Sequence, residues 1–374
     1  MAISQQKFQR RYAAIRELMK KDGLDSLLVF GLGDDFNRGN IRYVTGSGRG
    51  GCCIFPREGR PVFLTGPRQS SSPKLPLTMA ALDLLELRET AVPAEQAVKE
   101  LSRFDKGNRV GLVGLGCITV PVYLAAREKF GDRLVDRGGI LEPLRVIKSE
   151  EEIALTRRAA AIADRVYARL REIIRPGLSE YEIYGEVKGV NYRMGCEYSF
   201  DLIDAAGSTM NMSFYPTSDS LEAGGTLFME ITPAYEGYYA QLPVTLPVGK
   251  YRPHVRKMVS AWNRADKAVR PFLRPGTKVS EVYRVLINSV EKDGFISPYR
   301  PGHSIGLDAL DFWSITADNE TVLRPGMVIA VHPSVMSEFG GDGCGMGYTY
   351  LITASGAERL STIDLASELL GDGA

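Results

Sequence analysis

Two histidines, His303 and His332, stand in segments suited to ligand or acid–base chemistry. His303 lies in Pro301-Gly302-His303-Ser304-Ile305-Gly306-Leu307, where small residues on either side let the backbone approach another group closely. A histidine so placed can hold a metal, act as a general base or hydrogen-bond in a buried site. His332 follows an apolar run that begins after Pro325-Gly326-Met327, and Pro333 comes next. An earlier stretch, from Leu221-Glu222-Ala223-Gly224 to Thr232-Pro233, parallels it. Aligning Pro233 with Pro333 sets Thr232 against His332, and strand alternation puts Glu230 on the face of Thr232. Glu230 and His332 are therefore expected to point the same way. With His303 they have the composition of a two-histidine, one-carboxylate set, which suits one divalent cation. The third histidine, His254, follows Arg252-Pro253 at a predicted helix start and is expected on the solvated surface.

The elements that must position these residues follow from periodicity. Phe8, Tyr12, Ile15 and Leu18 recur at helical spacing until Gly23. Segments 26–30, 41–45, 52–55 and 61–65 read as strands, and helix and strand signals alternate through 110–115 and 134–136, predicting an α/β domain over residues 1–145. Ser149 and Glu152 form a capping box that opens a long amphipathic helix and a second domain, residues 146–374. That domain partly repeats. Arg175-Pro176-Gly177, then Ser179-Glu180, returns as Arg274-Pro275-Gly276, then Ser280-Glu281, 99 residues later (274 minus 175). Two αββ halves related by a pseudo-two-fold would leave a cleft between their sheets, a usual place for a ligand site.

Composition narrows the partners. With 46 basic and 45 acidic residues the net charge is +1, which gives no electrostatic case for nucleic acid or an anionic membrane. The sequence has no run of 18 apolar residues and no secretory signal at its start, so a cytoplasmic protein is expected. Five cysteines without a CxxC pair suggest reduced, buried thiols. Two glycine-rich stretches, at 31–33 and 46–51, lack the third glycine of a dinucleotide fingerprint and the lysine of a P-loop, and read as loops. The loop over 340–347 reads as a rim of the cleft.

Taken in order, Ile41-Arg42-Tyr43-Val44-Thr45-Gly46, the join 144–153, Gly237-Tyr238-Tyr239, the His303 segment and Pro325-Gly326-Met327-Val328 resemble the pita-bread family of creatinase, prolidase, Xaa-Pro aminopeptidase and methionine aminopeptidase. The resemblance covers nearly the whole chain and implies a creatinase-type N-terminal domain before a pita-bread domain. It also implies a homodimer. The family's metallopeptidases hold two cations with two aspartates, one histidine and two glutamates. At those positions this chain carries Glu230, Gln241, His303, His332 and Gly347, so one carboxylate stands where four are usual and no dinuclear centre is expected. The creatinase histidine base falls at Phe214 and a substrate-gripping glutamate at Pro243, while the peptidases' second histidine falls at Leu310.

The resulting expectation is a creatinase-like hydrolase, or a related lyase, that cleaves a C–N bond of a small polar metabolite without metal or other cofactor. His303 is its expected acid–base group, supported by Glu230 and His332. Gln241, Tyr239, Phe214, Tyr215 and Tyr348 are expected to line the substrate site. The resemblance adds Arg49, because in creatinase-like dimers the first domain reaches a neighbouring active site and an arginine there can pair with a substrate carboxylate. Two alternatives stay open: a single-metal Xaa-Pro-type peptidase using Glu230, His303 and His332, and a non-catalytic binding or sensor protein.

Overall fold

The structure, a computed structural model, describes residues 3–66, 81–207, 210 and 212–371. The chain forms two compact units, Met1–Arg145 and Val146–Ala374. Among the described residues no helix is long and apolar enough to cross a membrane.

The first unit is built on a six-stranded sheet in the order 86–89, 62–65, 51–56, 24–31, 109–113, 134–136. Its central strand, Leu24–Gly31, is buried along its whole length. It runs antiparallel to Gly51–Pro56 and parallel to Arg109–Val113. Helices Pro93–Arg103 and Val120–Phe130 supply Ala97, Leu101, Val122, Ala126 and Phe130 to a core with Leu28, Ile54, Val62 and Leu112.

One predicted strand is a helix. Residues 41–45 belong to the α-helix Gly39–Thr45, which ends at Gly46 in a left-handed conformation, its N–H donating to the Arg42 carbonyl. The β-branched and aromatic side chains Ile41, Tyr43, Val44 and Thr45 suggested a strand, but their burial is satisfied on a helix. The first helix, Gln5–Lys21, meets its C-terminal end: Arg11 donates to the Tyr43 carbonyl at 3.1 Å and Tyr12 to the Val44 carbonyl at 2.7 Å. Those carbonyls have no partner within so short a helix.

The second unit opens with helix Glu150–Ile173, where Glu152 reaches back to the Ser149 N–H at 2.7 Å. Two halves follow the same plan. In the first, helix Glu180–Arg193 precedes strands Leu202–Asp204, Thr226–Ile231 and Leu242–Pro247. In the second, helix Val279–Lys292 precedes Gly302–Ser304, Val328–Val331 and Tyr348–Thr353. The turns match bond for bond. Gly177 donates to the Leu221 carbonyl and Leu221 to that of Leu178; Gly276 donates to Leu323 and Leu323 to Thr277. The halves also bond to each other, since the Thr245 hydroxyl donates to the Gly345 carbonyl at 3.1 Å and the Gly345 N–H returns to that hydroxyl at 3.0 Å.

Candidate active site

His303 sits in the middle of Gly302–Ser304, paired with Ala330 on Val328–Val331. This pairing needs glycine beside it, because a Cβ at Gly302 would lie 2.2 Å from the Ala330 carbonyl oxygen. His303 Nδ1 is 3.0 Å from the Ser304 carbonyl. A carbonyl only accepts, so Nδ1 carries the proton and Nε2 presents its lone pair. His332 follows the neighbouring strand, its N–H bonded to the Pro301 carbonyl at 2.8 Å. The imidazole rings stand 5.2 Å apart at 69°. His332 Nε2 is buried and has no hydrogen-bond partner among the described residues. Burial pushes His303 down to about 4; His332 falls well below the usual range, through burial first and then through His303 and Arg300. Both rings are therefore neutral donors.

Room for His332 depends on Gly347. A Cβ there would lie 2.5 Å from His332 Cβ and 2.2 Å from the Val331 carbonyl oxygen. Any side chain at 347 would meet the backbone of residues 331 and 332 and the Cβ of His332.

The second group of the site is Glu230 with Gln241. Glu230, on Thr226–Ile231, accepts the Gln241 side-chain amide through Oε1 at 2.6 Å. Gln241 is held from the other half of the unit: its backbone N–H donates to the Thr349 hydroxyl at 2.8 Å, and that hydroxyl donates to the Gln241 carbonyl at 3.0 Å. The side-chain oxygen of Gln241 is buried without a partner among the described residues. Burial raises Glu230 to about 7, with Arg300 opposing and Asp201 assisting. Asp201 is itself fixed, accepting the Thr232 N–H at 3.0 Å and Lys188 at 2.8 Å.

The structure thus pairs His303 with His332 and Glu230 with Gln241, and Arg300 is a charged neighbour of Glu230 and both histidines. Other predicted site residues lie elsewhere. Tyr348 is a core residue, packed on Trp262 and Tyr350, with its hydroxyl accepting the Leu365 N–H at 2.8 Å. Tyr239 is wholly buried among Ile153, Ala160 and Val328. Phe214 and Tyr215 are exposed, Phe214 resting against Phe200. Arg49 donates to the Gly66 carbonyl at 2.9 Å and lies 3.8 Å from Glu89, both within the first unit. His254 is half-exposed, with Nε2 2.8 Å from an Asp342 oxygen. Sequence reasoning missed Arg300, Asp201 and Thr349. Arg300 had a signal, since it stands three positions before His303; the other two act through backbone contacts that no motif marks.

Residues 154–354 match the metallopeptidase family M24, and residues 11–147 match the creatinase/prolidase N-terminal domain. The chain belongs to metallopeptidase family M24. It is 26% identical over 359 residues to the Xaa-Pro dipeptidase of Pyrococcus horikoshii, covering 93% of this chain and 95% of that protein. It is 27% identical over 259 residues to the Xaa-Pro aminopeptidase of Escherichia coli, covering 61% and 59%. Among solved structures, the Xaa-Pro dipeptidase from Bacillus anthracis superposes with a TM-score of 0.80 at 21% identity, covering 96% of this chain and 98% of that one. The fold is the pita-bread domain behind a creatinase-type N-terminal domain, as the resemblance implied. Two expectations are overturned. A metal-independent, creatinase-like hydrolase or lyase does not accord with membership of a metallopeptidase family whose curated relatives here are Xaa-Pro dipeptidases and an Xaa-Pro aminopeptidase. The expectation of no cofactor falls with it.

The residues fit a divalent cation in one respect. Two neutral imidazoles, one with an orphaned buried nitrogen, have the donor chemistry a first-row metal takes. They fall short in another: among the described residues no three His, Cys, Asp or Glu side chains are gathered as one cluster.

Proposed function

We propose that this M24 member is a single-metal peptidase of Xaa-Pro type, which hydrolyses the C–N bond of a short peptide. One cation would be held by His303 and His332, the two donors that stand together, with Glu230 outside their cluster beside Gln241. The observation that carries this reading is the buried His332 Nε2, partnerless beside His303. An orphaned buried nitrogen costs about 1–3 kcal/mol unless something fills it. The names of the relatives supply the peptide substrate and the Xaa-Pro preference. A pair of cations fits poorly, because it needs bridging anionic ligands and this chain offers the amide of Gln241 and the hydrogen of Gly347 at two of the family's carboxylate positions.

Each residue then has a task. The Ser304 carbonyl holds the His303 tautomer, leaving Nε2 as the donor atom. Gln241 restrains Glu230 through Oε1. The free Gln241 side-chain oxygen can accept an N–H of the substrate. A bound cation would polarise the scissile carbonyl and acidify a water molecule.

Elemental analysis of untagged protein, with assay of Xaa-Pro dipeptides in added manganese, cobalt or zinc, tests this. About one cation per chain and metal-dependent cleavage are expected, both lost in His332→Ala with the fold intact. Two cations per chain would refute the single-metal site; no binding and no cleavage in any metal would refute the peptidase.

A further inference from the structure

We propose that the second unit carries a further ligand site, in which Arg165 and Arg193 bind a phosphate group. The site is a cavity of about 360 Å³ between helices Glu150–Ile173 and Glu180–Arg193, a size usual for small-molecule pockets, and Arg165, Arg169, Glu172, Val190, Arg193 and Met194 line it. Three guanidiniums meet there. Arg169 is satisfied, held by Glu172 and by Glu186 at 3.0 Å each. The side chains of Arg165 and Arg193 make no hydrogen bond or ion pair among the described residues, and Arg193 acts on Glu186 only through its field. Arg165 also stands four residues before Arg169 on the same helix, where like charges repel. Two charges of one sign without a counter-charge suit a dianion, and the fork of donors on each guanidinium fits phosphate oxygens.

The internal repeat shows which charge this cavity lacks. A shift of 99 residues carries Arg165 to Arg264 and Met194 to Asp293 (264 minus 165, 293 minus 194). The two helix ends match in their bonding: Gly195 donates to the Tyr192 carbonyl and Cys196 to that of Asn191, as Gly294 donates to Glu291 and Phe295 to Val290. In the second half Asp293 accepts from Arg264 at 2.8 Å, and both line a cavity of their own. In the first half a methionine stands where that carboxylate would be, so Arg165 keeps its charge unmet. The turn between Val190 and Arg193 departs as well. Asn191 takes the place of Val290 and is fully buried, yet neither polar atom of its side chain has a partner among the described residues. Such a group is unusual in a core unless something meets it. A phosphate in the cavity supplies the negative charge that Asp293 supplies in the other half.

Calorimetric titration of the full chain with inorganic phosphate and with phenyl phosphate tests this, at fixed ionic strength and a pH where phosphate carries two charges. Wild type should bind both probes. Arg165→Met and Arg193→Met should each weaken binding about 10- to 100-fold, the span of one hydrogen bond to a charged group. Met194→Asp should weaken it likewise, by giving Arg165 the carboxylate that Arg264 has. Arg264→Met removes the same charge from the other half and should leave phosphate binding unchanged. Tighter phenyl phosphate assigns the site to a phosphate ester and tighter inorganic phosphate to the free ion; both uphold it. No binding in wild type, undiminished binding in Arg165→Met, or an equal loss in Arg264→Met would overturn the proposal. If circular dichroism shows that Met194→Asp does not fold, the two arginine variants decide.

Discussion

At the scale of single residues, the site is defined as much by what Gly347 lacks as by what the histidines supply. The Val331 carbonyl and the Cα and Cβ of His332 occupy space that any side chain at 347 would need. Gly347→Ala must therefore push His332 or the strand carrying Val331, and overpacking of this kind typically costs about 1–3 kcal/mol. Chemical denaturation should show a loss in that range, and cation affinity should fall as His332 moves away from His303. A variant as stable as wild type with unchanged metal binding would mean that the backbone yields and the two residues are not coupled. The sequence showed that a histidine and a glycine stood where carboxylates are usual. It could not show that the glycine packs directly on the backbone that carries the histidine, because that is a through-space contact across a strand pair. Arg300 was missed for a related reason: which groups its charge faces is a property of the fold around it.

At the scale of elements, the long amphipathic helices and the alternating strands were legible because burial imposes a period on them. The capping box at Ser149 and Glu152 was legible because it is local. Helix Gly39–Thr45 was not. Its β-branched residues prefer strands in isolation, and what makes it a helix is distant in sequence: Arg11 and Tyr12 donating to its last carbonyls. Tyr12→Phe keeps the ring packed on Phe55 and removes only the donor to the Val44 carbonyl. The buried carbonyl is then left unsatisfied, for an expected loss of about 1–2 kcal/mol on chemical denaturation. An unchanged midpoint would show that the helix end finds another donor and does not depend on the first helix.

At the scale of the whole molecule, the pseudo-two-fold repeat explains why the second unit can form a site at all. Matching turns at Gly177 and Gly276 deliver two sheets of like plan, and bonds between them, Thr245 with Gly345 and Gln241 with Thr349, set Glu230 and the histidines within one unit. Each unit has its own core, one centred on strands 24–31 and 109–113 and the other on the helices and sheets of 146–374. A ligand that binds one folded unit stabilises that unit by mass action, about 2.7 kcal/mol at a hundred times its dissociation constant. A divalent cation held by His303 and His332 should therefore slow hydrogen exchange of the most protected amides in Thr226–Ile231, Gly302–Ser304 and Val328–Val331. The amides of Leu24–Gly31 and Arg109–Val113 should exchange as before, because opening of the first unit releases no cation. Equal slowing in both sets would show that the two units open together, whereas no slowing in the second unit would remove the cation from the site.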